Sequence, residues 1–380
     1  MRVSKKKLES IKKEYNVNTL WSWSKYNSYK IDQFGWYLKY IKHLKETKTS
    51  IYSVSGGACH DIIERYYQKE ITYDQMIEEY EAALVEMNMD ELKYNRKDEK
   101  ANDKIANTYE NSIRHFFKNH VPIEGKVITE QFVTINVDGN IFQGYIDFIN
   151  KEDDVFIITD WKTSTIYTGK KIDKERGQLV LYAESLIQKG IPLEKIKLRW
   201  NFLKYCKVTS ELVSIDKETK KNKTRETNAL RIEWVNKIQN NLKVWLRKEG
   251  YNEEDIEDMV LEAVSNNNLD NIPEVVRNRY KVEDSYVYIP LNQEVIDDLK
   301  KNIVETIKEI EDNQNIYNIT NDEKIWWTHI DASNEFYFAT LCGYSRKVHK
   351  PYDEYLKDKE MFLNKKSEEE EEDLDWLNDL

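Results

Sequence analysis

The first part of the chain patterns as helix and the middle as strand. Residues 1–48 read as helical, with aromatic residues on more than one side (Trp21, Trp23, Tyr26, Tyr29, Phe34, Trp36, Tyr37, Tyr40). Gly56-Gly57 is expected to break the chain before a helix from His60 to Tyr67, where Ile62, Ile63, Tyr66 and Tyr67 recur at helical spacing. Two amphipathic helices fill residues 72–120. The period then drops to two. Val127 to Val137 alternates apolar and polar residues, Asp138-Gly139 is a hairpin turn signal, and Ile141 to Ile149 forms the second strand. A polar turn over Lys151 to Asp154 leads into the apolar run Val155 to Thr159, a buried strand that ends in Asp160-Trp161-Lys162. Lys174 to Lys189 reads as a helix stopped by Gly190 and Pro192, and Lys195 to Leu203 as a further strand. The core order is therefore helix, three strands, helix, strand, an α/β class. Residues 225–317 are mostly helical and charged, with Arg231 to Arg247 the most amphipathic segment, and the aromatic stretch 321–357 has no clear type.

These patterns divide the 380 residues into an aromatic helical segment (1–48), an αβββαβ core (49–205), a mostly helical region (206–366) and an acidic tail (367–380). Charge changes the picture only when split by region. The whole chain carries −11, but the tail alone holds eight acids and no Lys or Arg, which leaves −3 for the rest. Basic runs stand out within that near-neutral body, at Lys5-Lys6-Lys7, Lys170-Lys171, Lys195 to Lys207 and Lys217 to Arg225. An acidic pI therefore does not exclude a nucleic-acid ligand, because local potential steers binding. The tail composition is that of a solvated, disordered end; the alternatives are a partner protein docked through Trp376 and Leu377, or the acidic run as a mimic of nucleic acid. Three scattered cysteines (Cys59, Cys206, Cys342) are too few for a disulfide framework or a four-thiolate metal site. No apolar run approaches the ~18 residues that span a bilayer, and the N-terminus has no apolar signal segment. No membrane partner is expected, and a cytoplasmic location is.

The candidate chemistry sits on the strand pair. With the turn centred on residues 152 and 153, Asp147 would pair with Ile158 and Tyr145 with Asp160. Asp147, Asp160 and Lys162 then share one face, the two carboxylates as diagonal neighbours. Two acids beside a lysine at the end of an apolar sheet are costly without a counter-ion, and hard carboxylate oxygens suit Mg²⁺ or Mn²⁺. Such an ion polarises a phosphodiester oxygen, while the ammonium orients water or stabilises negative charge. The Asp-x-Lys triplet recurs at Asp98-Glu99-Lys100 and Asp322-Glu323-Lys324, but neither follows an apolar strand. His60 and Glu64 share a helix face. His60 serves as a metal ligand oriented by Glu64, or as a helix-start histidine satisfied by a backbone carbonyl. Gln178 and Tyr182, four apart on the following helix, fit contacts to nucleic acid, and equally a core tyrosine with a surface glutamine.

Taken in order, His60 with Glu64, Gly144-Tyr145-Ile146-Asp147, Asp160-Trp161-Lys162, and Gln178 with Tyr182 resemble the PD-(D/E)XK nuclease superfamily, specifically its RecB-like exonuclease branch, over roughly residues 20–205. The segment Trp21-Ser22-Trp23-Ser24-Lys25-Tyr26 resembles a Ser-rich N-terminal motif of relatives. The resemblance implies a restriction-endonuclease-like fold with helical N- and C-terminal additions. It assigns His60, Asp147, Asp160 and the Trp161 carbonyl to the metal, catalysis to Lys162 with the two acids, and DNA contact to Gln178 and Tyr182. Glu130, in Thr129-Glu130-Gln131-Phe132, matches a position where relatives often carry Glu. Some relatives bind an iron–sulfur cluster through four cysteines, so with three here none is expected. No Walker-type loop ending in Gly-Lys-Ser/Thr is present, so any unwinding comes from another protein. A stand-alone nuclease of this kind is similar to those of bacteriophages, acting on single-stranded DNA or DNA with a free end in the bacterial host cytoplasm. The alternatives are a structure- or sequence-specific endonuclease and a non-catalytic DNA-binding module.

Overall fold

In the computed structural model, residues 3–46, 48–328, 336–344 and 357 are described. The acidic tail lies outside them. The chain divides into two compact units: Met1–Val3, Ser55–Ile135 and Gly144–Leu299 form the first, and Ser4–Val54, Asn136–Gln143 and Lys300–Leu380 the second.

The first unit is built on one sheet. The strands are β1 (Val127–Val137), β2 (Asn140–Glu152), β3 (Val155–Lys162), β4 (Ile196–Ile215), β5 (Asn222–Leu230) and β6 (Tyr280–Ile289), of which only the β1–β2 hairpin tip Asn136–Gln143 is assigned to the second unit. The order runs β1-β2-β3-β4-β5, with β6 on the other side of β4. The β3–β4 pairing is parallel and the pairings of β2 with β3, and of β4 with β5 and β6, are antiparallel, so the sheet is mixed. Past Phe202, β4 exchanges its β3 neighbour for β5. This mixed α/β architecture is restriction-endonuclease-like, as the family resemblance implies.

Helices α4 (Ile51–Tyr67), α5 (Tyr73–Met89), α6 (Glu99–Asn119), α7 (Lys170–Glu175) and α8 (Gly177–Ile187) accompany the strands. A capping box at Thr72 and Gln75 starts α5, and the Asp98 side chain caps α6. Eight of the eleven residues of α8 are buried, the signature of a helix enclosed on more than one side. Three expectations need correction. The Gly56-Gly57 pair lies inside α4 and does not end it, because the buried residues Ser55, Cys59, Ile62 and Ile63 hold this helix in the core. The helix expected over Lys174 to Lys189 is two, divided at Arg176. The charged segment after 225 contributes β5 and β6 beside helices α9 (Trp234–Lys248), α10 (Glu253–Asn266) and α11 (Glu274–Arg277). These helices bury Val235, Ile238, Leu242, Ile256 and Val276 against Cys206, Val208 and Ala229 of the sheet.

The second unit holds α1 (Lys5–Tyr15), α2 (Trp23–Ile31) and α3 (Gln33–Tyr40), and α2 and α3 meet the C-terminal part of α12 (Gln293–Thr320) through Tyr29, Gln33 and Tyr37. The aromatics of no clear type find partners here. Trp326 stacks on Trp36 at 5.6 Å and on Tyr37 at 5.9 Å, and Phe34 packs edge-on against Trp327 at 4.7 Å. Asp32 caps α3 through Gly35 N–H and accepts from Thr328 Oγ1 at 3.2 Å. No helix among the described residues is long and apolar enough to cross a membrane.

Candidate active site

The β2–β3 turn decides how the two acids meet. The loop is Asp153-Asp154, with Asp153 in the left-handed region (φ 51), and the register pairs Phe148 with Thr159 and Ile149 with Ile158. Continued one step outward, this register sets Asp147 directly opposite Asp160. The expected pairing of Asp147 with Ile158 is thus shifted by two residues. A slip of two leaves every side chain on its own face, so both acids still project together.

Among the described residues, His60, Asp147 and Asp160 form the one group of three metal-ligating side chains, with one ligand atom from each within 4.8 Å of the others. His60, on α4, places Nδ1 3.3 Å from Asp147 Oδ2 and Nε2 2.7 Å from the Trp161 carbonyl oxygen. His60 lies inside α4 and not at its start, with a backbone carbonyl on one ring nitrogen and the acid pair facing the other. Lys162 Nζ lies 2.7 Å from Asp160 Oδ2, an ion pair on a buried carboxylate. Trp161 points to the opposite face, where its ring meets Phe148 at 5.6 Å and His120 at 5.9 Å. The strand end is thereby anchored from behind.

Electrostatics follow from this crowding. Burial disfavours the His60 cation, but the Asp147 carboxylate outweighs it and raises the histidine above its ordinary value. Burial likewise opposes the Asp147 anion, yet the His60 hydrogen bond and charge hold its pKa below the carboxylate range. Asp160 is pushed up by burial, with Lys162 acting against the rise. Lys162 is raised, its burial overcome by the charge of Asp160. The Asp160 side chain is 7% exposed, against 35% for His60 and 27% for Lys162, so a sunken acid faces a solvent-reached imidazole and ammonium. A buried carboxylate held by the Lys162 ammonium, a second carboxylate and one imidazole nitrogen make a donor set that fits a hard divalent cation.

The remaining candidates fall at different distances from this cluster. Tyr182 is buried and its hydroxyl accepts from Gln178 Nε2 at 3.2 Å. Burial lifts the Tyr182 phenol to about 12, and Asp147, Asp160 and Glu130 all add to the rise, which sets Glu130 in the field of the same hydroxyl. Glu130 has φ 46 within β1, an irregularity of the kind that re-aims a strand side chain. Glu64 is outside the ligating group. It accepts from Gln68, which also donates to Thr129 of β1.

In the sequence Gly144 figures only as part of a motif, and the structure gives it a task. A Cβ at this position would lie 3.1 Å from Tyr182 Cε1 and 3.2 Å from its hydroxyl. Gly144→Ala is expected to displace the Tyr182 ring and lower cleavage by about ten- to a hundredfold, the scale of a misplaced positioning group. Steady-state cleavage compared with the unfolding midpoint checks this, since simple loss of packing would move the midpoint and not turnover per folded molecule. No sequence signal separates this glycine from one that merely allows a strand to bend.

The family model of the PD-(D/E)XK nuclease superfamily matches residues 20–322. The chain belongs to this superfamily, whose members use divalent metal ions, and membership indicates a hydrolytic nuclease with DNA as substrate. A search of curated proteins finds no match.

Proposed function

We propose that the protein is a Mg²⁺- or Mn²⁺-dependent DNA exonuclease of the RecB-like branch, acting in phage-type DNA replication, recombination or repair in the cytoplasm of a bacterial host. The observation that carries the reading is the convergence of His60, Asp147 and Asp160 beside Lys162 at one strand end. His60, Asp147, Asp160 and the Trp161 carbonyl would hold the ion, which when bound supplies Lewis acidity toward the phosphodiester and a more acidic water.

The chain's own residues do the rest. In the reaction a water oxygen forms a bond to phosphorus and gives up a proton, the bond to the leaving deoxyribose oxygen breaks, and that oxygen takes up a proton. The Lys162 ammonium, kept charged by Asp160, orients the water and opposes the negative charge that grows on the phosphoryl oxygens. Gln178 and Tyr182 contact the strand over the site, the amide by hydrogen bonding and the ring edge through its hydroxyl. Glu64 and Glu130 support the site from outside the ligating group. Support for the exonuclease reading comes from the order of motifs, which resembles the RecB-like branch.

The test is digestion of end-labelled linear DNA and of covalently closed circles with Mg²⁺, Mn²⁺ or EDTA. Metal-dependent release from linear ends with closed circles left intact is expected. Prompt cutting of circles would convert the reading to an endonuclease, and binding without cutting in any metal to a DNA-binding module.

A further inference from the structure

The run from Lys217 to Arg225 takes no part in the site, and the fold gives it a distinct setting. It occupies the turn between β4 and β5 and the first residues of β5. Lys217, Lys220, Lys221, Lys223 and Arg225 are all exposed, and among the described residues none is engaged with a carboxylate. Two neighbouring acids are occupied elsewhere, and within the run the exposed Glu218 is the one acid against five cations. Asp216 accepts from Glu218 N–H at 3.0 Å, Thr219 N–H at 2.9 Å and the Thr219 hydroxyl at 3.2 Å, and Glu226 pairs with Lys207 at 3.4 Å. In a chain of net charge −11, this leaves a concentrated positive end on one ribbon.

Alternation along β5 puts Lys223 and Arg225 on one face, the face that carries Ala229 into the core. At its base the ribbon is fixed by that core and by β6, which flanks β4 over Cys206 to Ser210. Further out the same face becomes cationic and uncovered. An apolar anchor with a charged extension is the build of an arm, not of a solvated loop.

We propose that the β4–β5 hairpin is a duplex-binding arm that grips backbone phosphates flanking the bond to be cut. The choice of DNA as occupant rests on the nuclease reading of the site. Geometry sets the reach, because β4 is continuous with the strand beside the site. Phe202 registers with Lys162, and Ser210 registers with Arg225. At ~3.3 Å per residue, Arg225 stands about 26 Å along the strand from the Lys162 level, and Lys217 no more than about 50 Å. At ~3.4 Å per step, this corresponds to about 8 to 15 base pairs of duplex. A duplex, stiff over ~150 base pairs, bridges that gap without bending, whereas a single strand would have to be held extended.

The experiment measures fluorescence anisotropy of the full chain in EDTA, so that cutting does not interfere. The probes are duplexes of about 8 and about 30 base pairs and a single strand as long as the second, titrated between about 50 and 200 mM KCl. The variant K217Q/K220Q/K221Q/K223Q/R225Q is expected to bind the long duplex roughly 30-fold more weakly at low salt, with a log–log salt slope shallower by about 0.9 for each phosphate that the arm no longer neutralises. Its affinity for the short duplex should match wild type, and a variant that exchanges Lys for Arg and Arg for Lys at the same positions should bind the long duplex normally. Equal losses on both duplex lengths, a larger loss on the single strand, or no loss on the long duplex would each overturn the arm. Absence of hydrolysis in wild-type protein would count against the nuclease reading alone, because the arm is read by binding.

Discussion

Lys162→Ala is expected to cut DNA hydrolysis by about 10³-fold while leaving affinity for DNA within about threefold, the loss typical of removing a group that acts on charge developing in the transition state. The same change has a second consequence inside the protein. Asp160 is raised by burial, and Lys162 is the group that counters the rise. With the ammonium gone, its carboxyl shifts further toward the protonated form at neutral pH, so part of the lost rate reflects a weakened metal site. Asp160→Asn separates the two effects. It removes a ligand but keeps the shape, and should abolish both cleavage and tight Mn²⁺ binding. Lys162→Ala should retain measurable Mn²⁺ binding, read by calorimetry or electron paramagnetic resonance. Cleavage at the wild-type rate in both variants would remove the site altogether.

How much of this arrangement the sequence disclosed depends on how local each signal is. The β1–β2 hairpin was legible because its turn carries its own chemistry: Asp138 (φ 48) and Gly139 (φ 87) both adopt the positive φ that a tight hairpin needs. The β2–β3 turn has no glycine, and a polar run of four residues left its centre open by one position. Even so, the error in pairing was two residues, an even number, and the shared face of Asp147, Asp160 and Lys162 survived it. Gly56-Gly57 misled in the other direction. Two glycines cost a helix ~1 kcal/mol each relative to Ala, but burial of Ile62, Ile63 and Cys59 from the same helix offsets more than that. Strand β6 stayed hidden because its partners on β4 lie some eighty residues earlier in the chain, and Tyr280 to Ile289 carries three charged residues on a strand whose exposure is mixed. The left-handed backbone of Glu130 and the closeness of Gly144 to Tyr182 are properties of three-dimensional neighbours, which no periodicity reports.

Asp284→Ala should destabilise the protein by about 3–5 kcal/mol, because it leaves a buried charge without its counter-ion. Asp284 on β6 bonds Arg231 at 2.5 Å through Oδ1 and His120 at 2.6 Å through Oδ2, and all three side chains are 3% exposed or less. Among the described residues, Arg231 also faces the Phe116 ring at 5.1 Å and His115 Nδ1 at 3.5 Å, neither an anion, and its Nε lacks a partner. Removing the carboxylate therefore strands the guanidinium. The pH dependence has a definite sign. Burial opposes the Asp284 anion, but His120 and Arg231 prevail and its pKa lies below the ordinary carboxylate value in the folded state. The unfolded chain binds the proton first as pH falls, so this stability is complete above about pH 5 and drains away as acid approaches the folded value. Urea unfolding from pH 7 down to about pH 3 should show wild type losing stability along that limb and Asp284→Ala losing correspondingly less. Parallel limbs in the two proteins would mean that the carboxylate carries no net coupling. Because His120 also packs on Trp161, the residue between Asp160 and Lys162, the same substitution loosens the strand end that aims the site. Cleavage per folded molecule should then fall as well, which a purely global loss of stability would not produce.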